Sequence, residues 1–124
     1  QPPTEPSYKC FADRNELKNV VNRYVRDGCG AFTLCNTIII EIYGWPMREW
    51  CVDDVTNMAS LFEGLDTFDE DISGWKVGQV TDMSWMFYGA SSFNKDLSMW
   101  NTSSVTTMQA MLYKASSFDG NISS

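Results

Sequence analysis

Apolar positions recur at a fixed distance through the second half of the chain. Val55, Val80 and Val105 are 25 residues apart, and the positions after each of them repeat without a gap. A period of about 20 to 50 residues is typical of stacked units, because one such unit cannot bury its apolar side alone. We expect a shared core built from five columns: Met58, Met83 and Met108; Phe62, Phe87 and Leu112; Phe68, Phe93 and Phe118; Ile72, Leu97 and Ile122; and Trp50, Trp75 and Trp100.

The pattern inside each unit predicts a helix followed by a strand. Thr81 is a plausible helix N-cap, and the apolar residues after it fall on one helical face. A serine-rich corner comes next, and then a short extended piece within residues 96–102. Stacking of equivalent strands would give a parallel ladder along the array, with the helices on its other side.

A different pattern precedes the repeats. Leu17, Val20, Val21, Tyr24 and Val25 recur at helical spacing. With Asp13 as N-cap, Glu16 three places later and Gly28 as a stop, the spacing predicts an amphipathic helix over Asp13 to Asp27. We expect this helix to cap the first repeat. The isoleucine-rich run Thr37 to Tyr43 predicts a buried strand.

These patterns predict two regions. Residues 1–42 form an amino-terminal arm, the capping helix and a disulfide region. Residues 43–124 form the repeat array, with a partial repeat at 43–54, full repeats at 55–79 and 80–104, and an incomplete repeat at 105–124.

Composition narrows the classes of function. The 124 residues carry a net charge of −7 and no histidine, which disfavours nucleic-acid binding because clustered Lys and Arg are needed to hold phosphates. No apolar run is long enough to insert into a membrane. The chain lacks a nucleophile elbow and a phosphate-binding glycine loop, so we expect no enzymatic activity. Its start at Gln1 would suit a mature product after signal removal.

The four cysteines all lie in the amino-terminal half. An even number without Cys-x-x-Cys spacing favours two disulfides and an oxidising compartment. Of three connectivities, Cys10 with Cys29 is the least attractive, since a helix of about 15 residues holds its ends roughly 22 Å apart. The favoured pairs are Cys29 with Cys35, and Cys10 with Cys51.

The repeat resembles that of a known family. The strings VTDMSWMFYGASSFNKDLSMWNTSSVTTM and YGWPMREWCVDDVTNMASLFEG look like the BspA-like leucine-rich-repeat surface proteins, and FADRNELKNVVNRYV looks like the helical lead-in of such arrays. The resemblance implies an α/β fold, a short leucine-rich-repeat-type solenoid. The residue patterns above add an amino-terminal helical cap stapled by disulfides, and the four cysteines depart from the family's pattern. It also implies secretion or surface display, with roles in adhesion and no catalysis.

Polar columns accompany the apolar ones. Asp69, Asn94 and Asp119 align, as do Asp71, Asp96 and Asn121. Carboxylates stacked at strand spacing repel one another unless a cation bridges them, so one hypothesis is a calcium site that uses Asp69, Asp71, Asp96 and Asp119. The alternative is that these side chains cap turns by accepting bonds from nearby main-chain N–H groups.

Two sequons, at Asn101 and Asn121, match N-glycan acceptors if the source is eukaryotic.

Phe118 and Ile122 begin a further strand close to Ser124, and an uncovered end of this kind invites pairing with another chain. We therefore expect an assembly face at Phe118 and Ile122.

The expected function is that of a non-catalytic, secreted or cell-surface structural protein that stacks on copies of itself, head to tail, into a filament. A fragment of a longer array would show the same end. The alternative function is an extracellular binding module for proteins or glycans, because outward positions such as Lys76 and Asn101 vary between repeats.

Overall fold

The computed structural model describes residues 8–30, 35 and 37–119. In chain order the elements are helix α1 (Arg14–Arg26), helix α2 (Thr37–Tyr43) and a short 3-10 helix (Met47–Glu49). The repeat region follows, and its core is continuous with that of the helices. Within these described residues, no helix is long and apolar enough to cross a membrane.

Helix α1 forms where the sequence predicts it. The Asp13 side chain accepts a hydrogen bond from the N–H of Glu16, and this bond satisfies one of the free donors at the helix start. Gly28 has a φ of +73° just after the last turn, a conformation that favours glycine at a helix end. Leu17, Val21 and Tyr24 lie on the buried face, so the apolar stripe packs against the rest of the molecule.

The isoleucine run is helical, so the predicted strand over Thr37 to Tyr43 is wrong. Ile39 is buried, whereas Ile38 and Ile42 are exposed on the other side of α2. A short apolar run without clear alternation fits a strand or a helix equally well, and tertiary packing decides between them.

The predicted solenoid, with one helix per repeat and a parallel strand ladder, is also wrong. Described residues 50–119 consist of turns and irregular segments, with isolated parallel bridges that join Cys10 to Cys51, Asn57 to Asp82 and Asp82 to Thr107. Left-handed residues explain the absence of longer elements, because a positive φ interrupts both helix and strand geometry. They stand at two equivalent positions of each unit: Ser60, Trp85 and Ala110, and Gly64, Gly89 and Lys114.

The units are nevertheless layered on one another by backbone hydrogen bonds. We call residues 55–79, 80–104 and 105–119 the first, second and third units. Four N–H groups of each unit donate to four carbonyls of the next, over 2.8–3.0 Å. The pairs are Met58 to Asp82, Ser60 to Ser84, Phe62 to Met86 and Gly64 to Tyr88, and then Met83 to Thr107, Trp85 to Gln109, Phe87 to Met111 and Gly89 to Tyr113.

In the first two units the apolar columns lie inside this stack as the sequence predicts. Trp50, Trp75 and Trp100 are all buried, and the first two rings stack with their centroids 6.4 Å apart. The indole N–H groups of Trp75 and Trp100 donate to the carbonyls of Met47 and Ile72, each 28 residues earlier. Equivalent side chains in successive units thus make equivalent contacts without regular strands.

Candidate assembly site

The described part of the stack presents two unlike edges. Within it, four carbonyls of the first unit receive no N–H from another unit, and the equivalent four N–H groups of the third unit meet no carbonyl. We call the carbonyls of Asn57, Ala59, Leu61 and Glu63 the carbonyl edge. We call the N–H groups of Met108, Ala110, Leu112 and Lys114 the amide edge.

Helix α1 covers the carbonyl edge with cationic side chains. Arg14 Nε donates to the carbonyl of Ala59 over 2.5 Å, and Lys18 Nζ donates to those of Ser60 and Leu61 over 2.7 and 3.3 Å. Ala59 and Leu61 are the counterparts of Ser84 and Met86, which accept backbone bonds inside the stack. Side chains of α1 thus take the place of the backbone donors of another unit.

Burial against this edge has an electrostatic cost. Desolvation lowers the pKa of Lys18, and the positive charge of Arg14 lowers it further. Both cations nevertheless lie where main-chain carbonyls need donors, because an unpaired carbonyl at a buried edge is costly.

Tyr24 fixes the far end of α1 on the first unit. Its ring packs edge-on against Trp50 at 5.3 Å, and its hydroxyl lies 3.4 Å from Glu70 Oε1. Burial raises the pKa of Tyr24 to about 12 and also raises the pKa of Glu70. A tyrosine O–H that donates to this carboxyl group therefore anchors the helix.

The start of α1 is held by a disulfide and by Glu16. Cys10 and Cys51 form one disulfide, and the N–H of Phe11 donates to the carbonyl of Cys51. Burial opposes ionisation of Glu16, but bonds from the Ala12 N–H, the Lys9 ammonium and the Tyr43 hydroxyl outweigh it and lower the pKa to about 2. The carboxylate thus joins the entry segment, α1 and α2.

The amide edge is left open by the described residues. Within residues 8–30, 35 and 37–119, none of its four N–H groups has an acceptor. Its apolar surroundings are also uncovered, since Met108 is 40% exposed while Met58 and Met83 are 0% exposed. Val105, Leu112 and Phe118 are partly buried against the core. The third unit therefore presents donors and apolar surface together.

Only part of the predicted assembly face lies in the described residues. Phe118 stacks on Phe93 with centroids 5.9 Å apart, so one side of its ring is already occupied. Ile122 lies outside the described residues. Sequence reasoning missed Met108 and the amide edge, although the methionine column was visible and its last member could have been singled out.

Two of the four predicted calcium ligands are engaged as turn caps. Asp71 and Asp96 accept hydrogen bonds from the N–H groups of Ser73 and Ser98, and these bonds lower the pKa of both carboxyl groups. No group of three or more potential metal ligands occurs in the described part of the chain. The calcium hypothesis therefore has no site there, and the turn-capping alternative describes these two residues.

The other column, which contains the remaining calcium candidates, links successive units. Asp69 Oδ1 accepts from the N–H of Asn94, and Asn94 Oδ1 accepts from the N–H of Asp119, over 2.8 and 2.6 Å. Lys95 Nζ lies 3.5 Å from Asp69 Oδ2. A side chain of each unit thus caps a main-chain N–H of the next, and these carboxylates are not paired with each other.

The remaining predicted sites are placed as follows. The disulfides are Cys10–Cys51 and Cys29–Cys35, the pairs that the sequence argument favours. Asn101 is exposed, and its side-chain oxygen accepts from the N–H of Ser103 over 3.1 Å. Asn121 lies outside the described residues.

A shallow cleft of about 460 Å³ runs along the side of the stack. Arg48, Lys76, Met99 and Asn101 are among the residues that line it. Arg48 is already near the carboxylates of Glu49 and Asp71, whereas the Met99 side chain is 80% exposed. The cleft therefore combines positive charge with accessible apolar surface.

Comparison with known proteins identifies the family of the chain. Residues 30–124 match the family described as "Mycoplasma protein of unknown function, DUF285". The match covers most of the chain, including all three units, so the chain belongs to this family. No curated protein and no solved structure matches it.

Proposed function

We propose that this chain is a non-catalytic structural protein of the cell exterior that assembles with copies of itself by stacking repeat units. The observation that carries the proposal is the amide edge, where four N–H donors and the exposed Met108 occur on one end of the stack. Donors and apolar surface of this kind favour association with another chain that offers carbonyls and apolar side chains.

The two ends of the stack are chemically different, so the contact between copies is head to tail. A contact between unlike surfaces leaves both kinds of end available after each addition, and it gives an open filament when no rotation closes a ring. The amide edge of one copy faces the amino-terminal end of the next.

An exterior location is supported by the cysteine chemistry. Both disulfides join cysteines within one small chain, and such bonds persist in oxidising compartments. A non-catalytic role is supported by the use of the acidic side chains, since Asp71, Asp96 and Glu16 are engaged in turn capping or in holding the entry segment.

Sedimentation velocity over a range of protein concentrations tests self-assembly. We expect the wild-type chain to form larger species as concentration rises and Met108→Lys to remain monomeric, because a charge at the amide edge would be desolvated in the contact. Met99→Lys is the matched control, since Met99 is exposed at the side of the stack. A monomeric wild type at the highest concentration, or equal effects of both substitutions, would contradict the proposal.

A binding module for acidic glycans or proteins is a second function, and the cleft between Arg48 and Lys76 favours it. Its test is a glycan-array screen of the wild type and of Lys76→Glu, with Lys114→Glu as a charge-matched control outside the cleft. Glycan binding that only Lys76→Glu abolishes would support this alternative, and wild-type protein that binds no glycan would count against it.

A further inference from the structure

The carbonyl edge beneath α1 has the chemistry of a second assembly surface. We infer that it is the binding site for the amide edge of a second copy, and that α1 occupies this site as a competitor. The inference rests on the proposed self-assembly and names the surface that the incoming copy takes.

The donors and acceptors of the two edges match one to one. Inside the stack, N–H groups at four alternate positions of one unit donate to carbonyls at four alternate positions of the next. The amide edge of the third unit has the same four donors, and the carbonyl edge of the first unit has the same four acceptors. A second copy can therefore dock by repeating an interface that the molecule already forms twice.

Helix α1 satisfies this edge less completely than a repeat unit would. Its cations reach the carbonyls of Ala59, Ser60 and Leu61, but among the described residues no donor reaches the carbonyls of Asn57 and Glu63. A cleft of about 350 Å³, lined in part by Asn15 and Asn57, lies beside the uncovered end of the edge. An incoming unit would supply donors at all four positions.

The apolar contacts are also exchangeable. Leu17, Val21 and Tyr24 of α1 cover the core beside the carbonyl edge. When a second copy docks, its Met108 and Leu112 would replace these side chains on the core. The apolar surface of Met108 and Leu112 that now contacts water would then be buried. The outward face of α1 offers no apolar surface to an incoming copy, because it presents a row of exposed polar side chains: Asn15, Asn19 and Asn22.

Competition sets a quantitative expectation. The apparent dissociation constant equals the intrinsic constant divided by the fraction of molecules whose edge is free of α1. A substitution that weakens the hold of α1 on the edge raises that fraction. Self-association should therefore become tighter by the same factor, up to the point at which most molecules have a free edge.

The double substitution Arg14→Ala with Lys18→Ala tests the competition. It removes the bonds to Ala59 and Leu61 of the edge and to the neighbouring Ser60, and we expect sedimentation equilibrium to show self-association about tenfold tighter than wild type. Arg23→Ala with Arg26→Ala is the matched control, because it removes the same charge from exposed positions of α1 and should change association less than about twofold. Unchanged or weaker association of a folded Arg14→Ala, Lys18→Ala variant would overturn the inference.

Hydrogen exchange on the wild-type chain gives a readout that does not depend on how the variant folds. As assembly proceeds, we expect amides at 108–114 to become protected and amides of α1 at 17–24 to lose protection. Protection at 108–114 with unchanged protection of α1 would overturn the inference but keep the proposed self-assembly. No change at 108–114 would contradict both.

Discussion

The two ends of the repeat stack differ in the backbone groups that lack a partner unit, although both are built from the same repeat. At the first unit, Arg14 and Lys18 donate to main-chain carbonyls, and Met58 is fully buried. At the third unit, main-chain N–H groups face outward without an acceptor among the described residues, and Met108 is exposed. Most backbone bonds between units run from N–H groups to carbonyls of the next unit, and those from Thr81 and Thr106 run back, so the two ends offer mainly different groups.

The difference resembles that between the two ends of an α-helix, where free N–H groups and free carbonyls need different partners. The long cationic side chains of α1 suit the carbonyl end because they supply N–H donors at the end of flexible stems. They could not serve at the amide end, which requires acceptors. The cap therefore identifies which end of the described stack is covered by side chains of α1.

The methionine column gives the largest expected contrast between the ends. Met58→Ala and Met83→Ala should each cost about 2–5 kcal/mol of unfolding free energy, because they leave cavities in a packed core. Met108→Ala should cost less than about 1 kcal/mol, since its side chain is already partly in water. Urea denaturation of dilute protein measures all three. An equal loss at Met108 would mean that the third unit is covered in solution.

The two disulfides should differ in a way that reflects their positions. Cys10–Cys51 spans 41 residues and ties the entry segment to the stack, whereas Cys29–Cys35 spans 6. From loop-closure entropy, replacing both cysteines of the pair by serine should cost about 4 kcal/mol for the long loop and about 2.4 kcal/mol for the short one. Thermal unfolding of each double serine variant measures the difference. A larger loss from the short loop would show that the capped end does not depend on this tie.

Acid should weaken the capped end first. The pKa of Glu16 is about 2 in the folded chain and 4.5 ordinarily, so its stabilisation is complete above pH 4.5 and is lost as the pH falls toward 2. After allowance for solvent screening, we expect a loss of about 1–2 kcal/mol.

Glu16→Gln tests this dependence, because it should be less stable than wild type at pH 6 and should lose less stability on acidification. Hydrogen exchange at pH 3 should show α1 opening before residues 83–93. If the unfolding free energy of Glu16→Gln falls with pH as steeply as that of wild type, another carboxyl group causes the loss of stability in acid.

Glu70 acts in the opposite sense: because its pKa is raised, its contribution to stability is greatest at low pH and diminishes as the pH rises.

Side-chain burial in the repeats could be predicted from the sequence, but the backbone could not. The fixed spacing of Trp50, Trp75 and Trp100 predicts a buried pile, because equivalent positions of stacked units meet equivalent surroundings. The path of the chain between those positions depends on left-handed residues such as Trp85 and Ala110, whose side chains give no hint of a positive φ. The predicted helix and strand of each unit failed at these positions.

The candidate site was predicted only in part for the same reason. The apolar stripe and N-cap of α1 could be read from periodicity, and so could its role as a cap. The bonds from Arg14 and Lys18 could not, because their acceptors are main-chain carbonyls about 40 residues away along the chain. The aspartate columns suggested a cation, whereas Asp71 and Asp96 accept from nearby main-chain N–H groups and Asp69 accepts from an N–H of the next unit.

The left-handed position shared by Ser60, Trp85 and Ala110 also has a consequence for engineering. A small hydroxyl, a large indole and a methyl group occupy the same backbone conformation, and Ser60 and Trp85 make equivalent bonds to the next layer. Residues at this corner are therefore interchangeable between layers, and a tandem duplication of residues 80–104 would lengthen the molecule by one layer while every existing bond kept its geometry.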